Sequence, residues 1–360
     1  MNQQENIIQD ERKIGFPGHR NFLPYYTNKS WNGTEDSFYY FSVAPGNFIP
    51  ELYLYDVAAG ESKKCFDITF CKNEEDIHRL MASVFLIKRG MVILFHENRI
   101  ITADLKTGEM KLRYIISNEY SGSFCISQDE RYLAFGSSPD KGFIPTTVHI
   151  IDTMLPEWQE TASHTIDMHI NHFQFFPNGH DILFAHEGVT TAIPDRLNLL
   201  NWKTGKYRCL HKHEHDENGN LAECIGHEHV AGNKVVAVRY PESQIDFGII
   251  VVDPETEKCD LVQEGDFWHS ASNKDGSRFV MDTMWWANSR RKTPNLIDIV
   301  MYDVKTQKKH VLKTFHANPL GRYQMYHSHP HTNDIGNRVL FTVRPVGKET
   351  ECHIELLLLK

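Results

Sequence analysis

Several features are scarce in this chain of 360 residues, and each scarcity removes a class of explanation. Positive charge is one. The 38 Lys and Arg against 47 Asp and Glu leave a formal net charge of −9. That argues against nucleic acid as a partner, since phosphate binding wants a basic surface; a local basic pocket on an acidic protein can still take an anionic sugar. No apolar run is long enough to span a bilayer. The N-terminus lacks the basic region followed by an apolar core that marks a secretory signal. The cysteines, Cys65, Cys71, Cys125, Cys209, Cys224, Cys259 and Cys352, form an odd set with no C-x-x-C pair, as expected of reduced thiols in a cytoplasm. The sequons at Asn28 and Asn32 then carry no meaning. There is no Gly-x-Ser-x-Gly segment, which weakens a serine-hydrolase reading. Low-complexity linkers, charge blocks and long helical periodicity are missing too. The expectation is an intracellular, soluble, all-β protein.

What is present is a repeat. Turns of similar chemistry begin at Asp56, Asp104, Asp152, Asn201, Asp253 and Asp303, spaced 48, 48, 49, 52 and 50 residues apart. A β-rich or apolar run precedes nearly all of them, as in Leu52–Tyr55, Val148–Ile151 and Ile249–Val252, and Ile354–Leu359 reads as a seventh strand of that type. Interleaved with these are strand, tight Asn/Asp-Gly-type turn, strand signals at Ser127–Phe135, Phe176–Phe184, Asn273–Val280 and Asp334–Phe341. Each period thus holds about four short strands, one blade of a β-propeller. Six turns and the terminal strand predict a seven-bladed β-propeller in one domain, residues 1–360. Residues 1–15 are expected to be peripheral, or to reach over and close the ring.

The segment from Gln324 to His331 puts an amide oxygen and three imidazoles, His327, His329 and His331, into eight residues. These are ligands for a borderline divalent metal such as Mn, Fe, Co, Ni or Zn. On a strand the three imidazoles would project together. With 21 histidines in the chain some crowding is expected, but these fall in register with others. His172, His269 and His329 each lie seven residues before a turn glycine (Gly179, Gly276, Gly336), and His227 lies five before Gly232. In a propeller such positions line the central channel. Repeats retain apolar residues for packing; they have no packing reason to repeat imidazole.

The chain resembles the oligogalacturonate lyases, seven-bladed propellers that cleave short pectin fragments inside bacteria. The resemblance is carried by Gln324-Met-Tyr-His327-Ser-His329-Pro330, which runs without a gap into Gly336-Asn-Arg-Val-Leu-Phe341, and by Trp268-His269-Ser270 with Asp275-Gly276 downstream. It implies a Mn²⁺, or another divalent metal, held by His269, Gln324, His327 and His329, with His331 outside the set. Gly226-His227-Glu228-His229 resembles the segment of the family's catalytic base, which implies that role for His227 and leaves His229 as the alternative. Arg196 in Asp195-Arg196-Leu197 is the implied second catalytic residue. Pro17-Gly18-His19-Arg20 resembles the family's opening. Ser328 replaces a family proline, and His211–Gly219 looks like an insertion.

The implied reaction is β-elimination on a short acidic oligosaccharide, in which a base removes the C5 proton of a uronate and negative charge moves onto the C6 carboxylate. A metal on that carboxylate stabilises the charge, histidine suits a base near neutrality, and arginine pairs with carboxylates. Trp285, Trp286, Arg290 and Arg291 would suit a sugar platform or inter-blade packing. No nucleic acid, membrane or obligate protein partner is implied. A metal-dependent hydrolase on the same scaffold and a non-catalytic binding propeller are the competing readings, since a fold does not fix chemistry.

Overall fold

A computed structural model of the chain describes residues 7–283, 295–318 and 323–360, without the side chains of 120–122. The fold is an all-β, seven-bladed β-propeller built from seven four-stranded sheets. Among the described residues the one α-helix is Glu74–Arg79. Six sheets take their four strands in chain order. The seventh joins His331–Thr332, Arg338–Val343 and His353–Leu359 to the strand Ile8–Ile14, which pairs antiparallel with His353–Leu359. The N-terminal segment therefore supplies an outermost strand.

The recurrent turns join third strands to fourth strands, and their chemistry is local. Asp104 Oδ1 accepts the N–H groups of Lys106 at 2.9 Å and Thr107 at 2.7 Å. Asp253 does the same for Glu255 and Thr256, and Asp303 accepts from Thr306. An aspartate that caps its own turn in this way reverses the chain wherever it recurs.

By packing, the chain divides into two compact units: Met1–Val92 with Ala103–Glu109 and Phe267–Lys360, and Ile93–Thr102 with Met110–Asp266. In the first, Val339, Phe341 and Leu357 of the last sheet pack with Val280, Ile299 and Met301 of the preceding one. In the second, Phe173, Ile182 and Phe184 meet Val148 and Ile150, while Leu183 and Leu197 meet Val235 and Ile250. Each such side chain, fully buried, contributes about 1.5–3 kcal/mol.

A bulge in the first strand of a sheet positions the histidines. Register slips between Asn171 and Gln174, between Gly226 and His229, and between Phe267 and Ser270. In each case two residues face one on the neighbouring strand, which re-aims their side chains. His172 and His227 are the first of their two, with left-handed φ of 55° and 48°. Thr342 N–H donates to Ser328 O at 2.9 Å, which puts His329, with φ 37°, in the same place. His269 is instead the second of its two. Counting from the turn glycine puts these histidines at one level, but the bulge of the His269 hairpin lies one residue farther from its turn.

Candidate functional site

In the first unit, three histidines converge. His269, His327 and His329 each offer a ligand nitrogen within 4.8 Å of the others, and all three are buried. The rings of His269 and His329 stand edge to face at 4.3 Å between centroids, and Trp268 lies 4.6 Å from His327. Tyr25, 4.9 Å from His329, adds a further aromatic wall.

Asp282 orients the cluster. It opposes the bulge and accepts the His269 backbone N–H at 2.7 Å, while the His269 Nδ1 lies 2.8 Å from its Oδ2. In its ionised form Asp282 accepts the Nδ1–H and leaves Nε2 as the ligand atom, the usual support for a metal-binding imidazole. Burial pushes the Asp282 carboxyl well above its ordinary range. Burial likewise lowers the His327 imidazole far below its ordinary value, helped by the charges of His269, His78 and Arg344. A neutral imidazole with an available lone pair is what a metal requires.

Gln324 opens the 3-10 turn Gln324–Tyr326, whose end His327 closes by donating its N–H to Gln324 O at 2.9 Å. The buried atoms Gln324 Oε1 and His327 Nδ1 have no hydrogen-bond partner among the described residues. Three buried imidazoles with an acid behind one of them fit a borderline divalent cation, and Gln324 Oε1, on the turn that leads into His327, is a further donor of suitable chemistry. The expected strand alternation does not produce this grouping, because only His331–Thr332 of the segment is strand. His331 is occupied elsewhere: its Nε2 lies 3.1 Å from Pro24 O, and burial lowers its pKa to about 4.

In the second unit, Arg196 is the hub of a buried network. Its Nε donates to Glu228 Oε2 at 2.8 Å and its Nη2 to Glu187 Oε1 at 3.2 Å. His172 Nδ1 meets the other Glu228 oxygen at 2.6 Å. Burial opposes charge on both partners. Against it, Glu228 and then Glu187 raise the Arg196 pKa, and Arg196 and then His172 hold the Glu228 carboxyl well below the carboxylate range. Gln174 ties the strands together, donating to Glu228 O at 2.9 Å and accepting from Val230 N–H at 3.0 Å.

His227, the first of this strand's two bulged residues, is half-buried, with its Nδ1 hydrogen-bonded to the Tyr240 hydroxyl. Gly226 makes room for that tyrosine, whose ring and hydroxyl would collide with a Cβ there. His229 is buried, and desolvation lowers its pKa to about 3, so of the two His227 is the better placed to exchange a proton. The His211–Gly219 stretch turns on Asp216, and Glu223 behind it joins His211 at 2.7 Å to Arg239 at 2.6 Å.

No protein-family model and no curated protein sequence matches the chain. Solved structures do. An oligogalacturonate lyase in complex with manganese aligns over 99% of this chain and 95% of its own, with a TM-score of 0.79 and 18% identity. The chain has the fold of the solved oligogalacturonate lyases. The oligogalacturonate lyase from Vibrio parahaemolyticus covers 98% of this chain and 95% of its own, at a TM-score of 0.75 and 19% identity. A chain of the mitotic checkpoint complex reaches 0.55 at 7% identity, covering 100% of this chain and 96% of its own. At these identities the likeness to the lyases is one of fold.

The expected metal ligands His269, His327 and His329 are thus grouped in one unit. His227 and Arg196 sit in the other, linked through the adjacent Glu228 of the same strand. Asp282, Glu228, Glu187 and Tyr240 were not expected. A signal existed for two of them: an acid directly after the apolar run Phe279–Met281, and an acid between two histidines at Glu228. Trp285, Trp286, Arg290 and Arg291 lie outside the described residues. All seven cysteines are free thiols, and no helix among the described residues is long and apolar enough to cross a membrane.

Proposed function

We propose that the protein is a metal-dependent lyase that cleaves short oligogalacturonides in the cytoplasm by β-elimination, giving a 4,5-unsaturated product that rearranges to 5-keto-4-deoxyuronate. The observation that carries this reading is the buried cluster of His269, His327 and His329, with Asp282 behind His269, in a chain that shares its fold with a lyase in complex with manganese.

Gln324, His327, His329 and His269 would hold the cation, and manganese is the one we assign. Bound there, it supplies Lewis-acid stabilisation of the charge that reaches the substrate carboxylate as the C5 proton leaves. The His327 imidazole, which burial keeps neutral, holds its lone pair ready for it. His227 is the proton acceptor. To accept at Nε2 it must donate its Nδ1–H to the Tyr240 oxygen, an arrangement that this contact accommodates. Arg196 presents a charge that its two carboxylates keep permanent, suited to orienting a uronate carboxylate. The substrate is a small acidic sugar, and neither nucleic acid nor an obligate protein partner enters the reaction.

The test is absorbance at the unsaturated-uronate band during incubation of Mn²⁺-loaded protein with digalacturonate and trigalacturonate, beside an EDTA-treated control. A rise that chelation abolishes supports the proposal. A metal-loaded protein that gives neither a rise nor a fragment lighter by one water than the saturated sugar, on either substrate, rejects it.

A further inference from the structure

The helix Glu74–Arg79 has six residues, too few to persist without support. Local caps fix its start: Asn73 Oδ1 accepts the Asp76 N–H at 2.9 Å, and Asp76 Oδ2 accepts the Lys72 N–H at 2.9 Å. Glu74 and His78 are four residues apart and so share a face. That face grips one short segment at both ends. His78 Nε2 accepts the backbone N–H of Gln324 at 3.3 Å, and Glu74 Oε1 accepts the Tyr326 hydroxyl at 3.4 Å. Arg20, itself buried, pairs with the same Glu74 carboxylate, and the His78 ring lies 5.3 Å from Tyr323. Gln324 and Tyr326 are the first and last residues of the 3-10 turn that leads into His327.

From this geometry we propose that the helix is a clamp for the metal-ligand turn and that His78 is a positioning residue, setting where Gln324 and His327 sit. The inference rests on the metal-centre reading above. A three-residue 3-10 turn has poor internal hydrogen bonds, and Gln324–Tyr326 has no side-chain cap of its own. Its conformation must therefore come from outside, and the clamp supplies an acceptor at its first residue and another at its last. A ligand set needs its residues held within a fraction of an ångström. His78 acts through a lone pair at Nε2, so glutamine, which offers an oxygen at similar reach, can replace it and alanine cannot.

The experiment is calorimetric titration of Mn²⁺ into full-length wild type, His78→Ala, His78→Gln and Tyr326→Phe, with unfolding of the EDTA-treated proteins followed in parallel. His78→Ala is expected to weaken Mn²⁺ binding about tenfold or more, and His78→Gln to return it to within about threefold of wild type. Tyr326→Phe, which frees the other end, is expected to weaken binding about threefold and covers the case in which the alanine variant does not fold. Wild-type affinity in His78→Ala or Tyr326→Phe overturns the clamp, whatever their unfolding temperatures. A glutamine variant as weak as alanine also overturns it, since the contact would then be general packing. Wild type that takes up no Mn²⁺ overturns the metal centre itself, and the clamp with it, a failure visible before any variant is made.

Discussion

Glu228→Gln isolates one buried charge. The side chain of Glu228 is fully buried, and its two oxygens are taken by Arg196 Nε at 2.8 Å and His172 Nδ1 at 2.6 Å. Glutamine keeps the shape. Its oxygen can still accept from Arg196, and its amide can donate to a His172 that moves its proton to Nε2, so both hydrogen bonds survive and only the charge is lost. Arg196, with a side chain 5% exposed, then has Glu187 alone for its charge, at 3.2 Å and on a side chain 20% exposed. Removing one partner of a buried pair costs about 3–5 kcal/mol, because the other charge stays desolvated. Unfolding entropy of about 2.1 cal/mol/K per residue converts that loss to a fall in Tm of roughly 4–7 °C for a chain of this length. Thermal and urea unfolding followed by circular dichroism read it. The double variant Glu228→Gln, Arg196→Met should recover part of the loss, since no charge is then stranded. A single-variant loss below about 1 kcal/mol, the worth of an exposed pair, would refute the reasoning.

Other predictions test each cluster in turn. Asp282→Asn should weaken Mn²⁺ binding about tenfold to a hundredfold, as loss of a carboxylate behind a ligand imidazole does; a titration showing unchanged affinity would remove Asp282 from the site. Tyr240→Phe should lower kcat about tenfold with KM little changed, because it removes the acceptor of the His227 Nδ1–H without touching substrate binding; a change confined to KM would contradict that role. Acid should destabilise the metal-free protein early. His331 and His229 are buried neutral, with pKa values of about 4 and about 3 against an ordinary 6.5. Between the ordinary value and those values the unfolded chain binds more protons, so stability is full above about pH 6.5 and falls with pH below it. The slope is about 1.4 kcal/mol per pH unit for each histidine. A denaturation midpoint that stays flat from neutrality down to about pH 5 would show that these rings are not desolvated.

The repeat was legible because its turns are local. The oxygen of Asp104 reaches the N–H groups of Lys106 and Thr107, two and three residues on, so the motif carries its own structure wherever it recurs. The hairpins around Gly179, Gly276 and Gly336 were legible for the same reason. The bulges were not, since a slip between Phe267 and Ser270 depends on pairing with Thr283 and Met281, and nothing at Phe267 announces it. That is why counting from Gly276 put His269 level with His172 when it is the next residue in the bulge. Asp282 was hidden similarly, because its part comes from facing the bulge across the sheet. Glu228 lay in plain view between two histidines. Its partners Arg196 and His172, however, are 32 and 56 residues away in the chain, and only the folded sheets bring them to it. His331 was set apart by the frame of its motif, and its bond to Pro24 keeps it apart.

The account's central claim, elimination at a metal held by the first unit's histidines, is tested most directly by the masses of the products. Trigalacturonate would be incubated with Mn²⁺-loaded wild type, with EDTA-treated wild type and with Mn²⁺-treated His327→Ala, and the fragments read by mass spectrometry. The account predicts, from the loaded wild type alone, a fragment lighter by one water than the corresponding saturated sugar. Fragments that are all saturated would mean that water was added across the bond, and the lyase reading would be wrong. A lighter fragment that persists after chelation and in His327→Ala would leave the chemistry and contradict the metal.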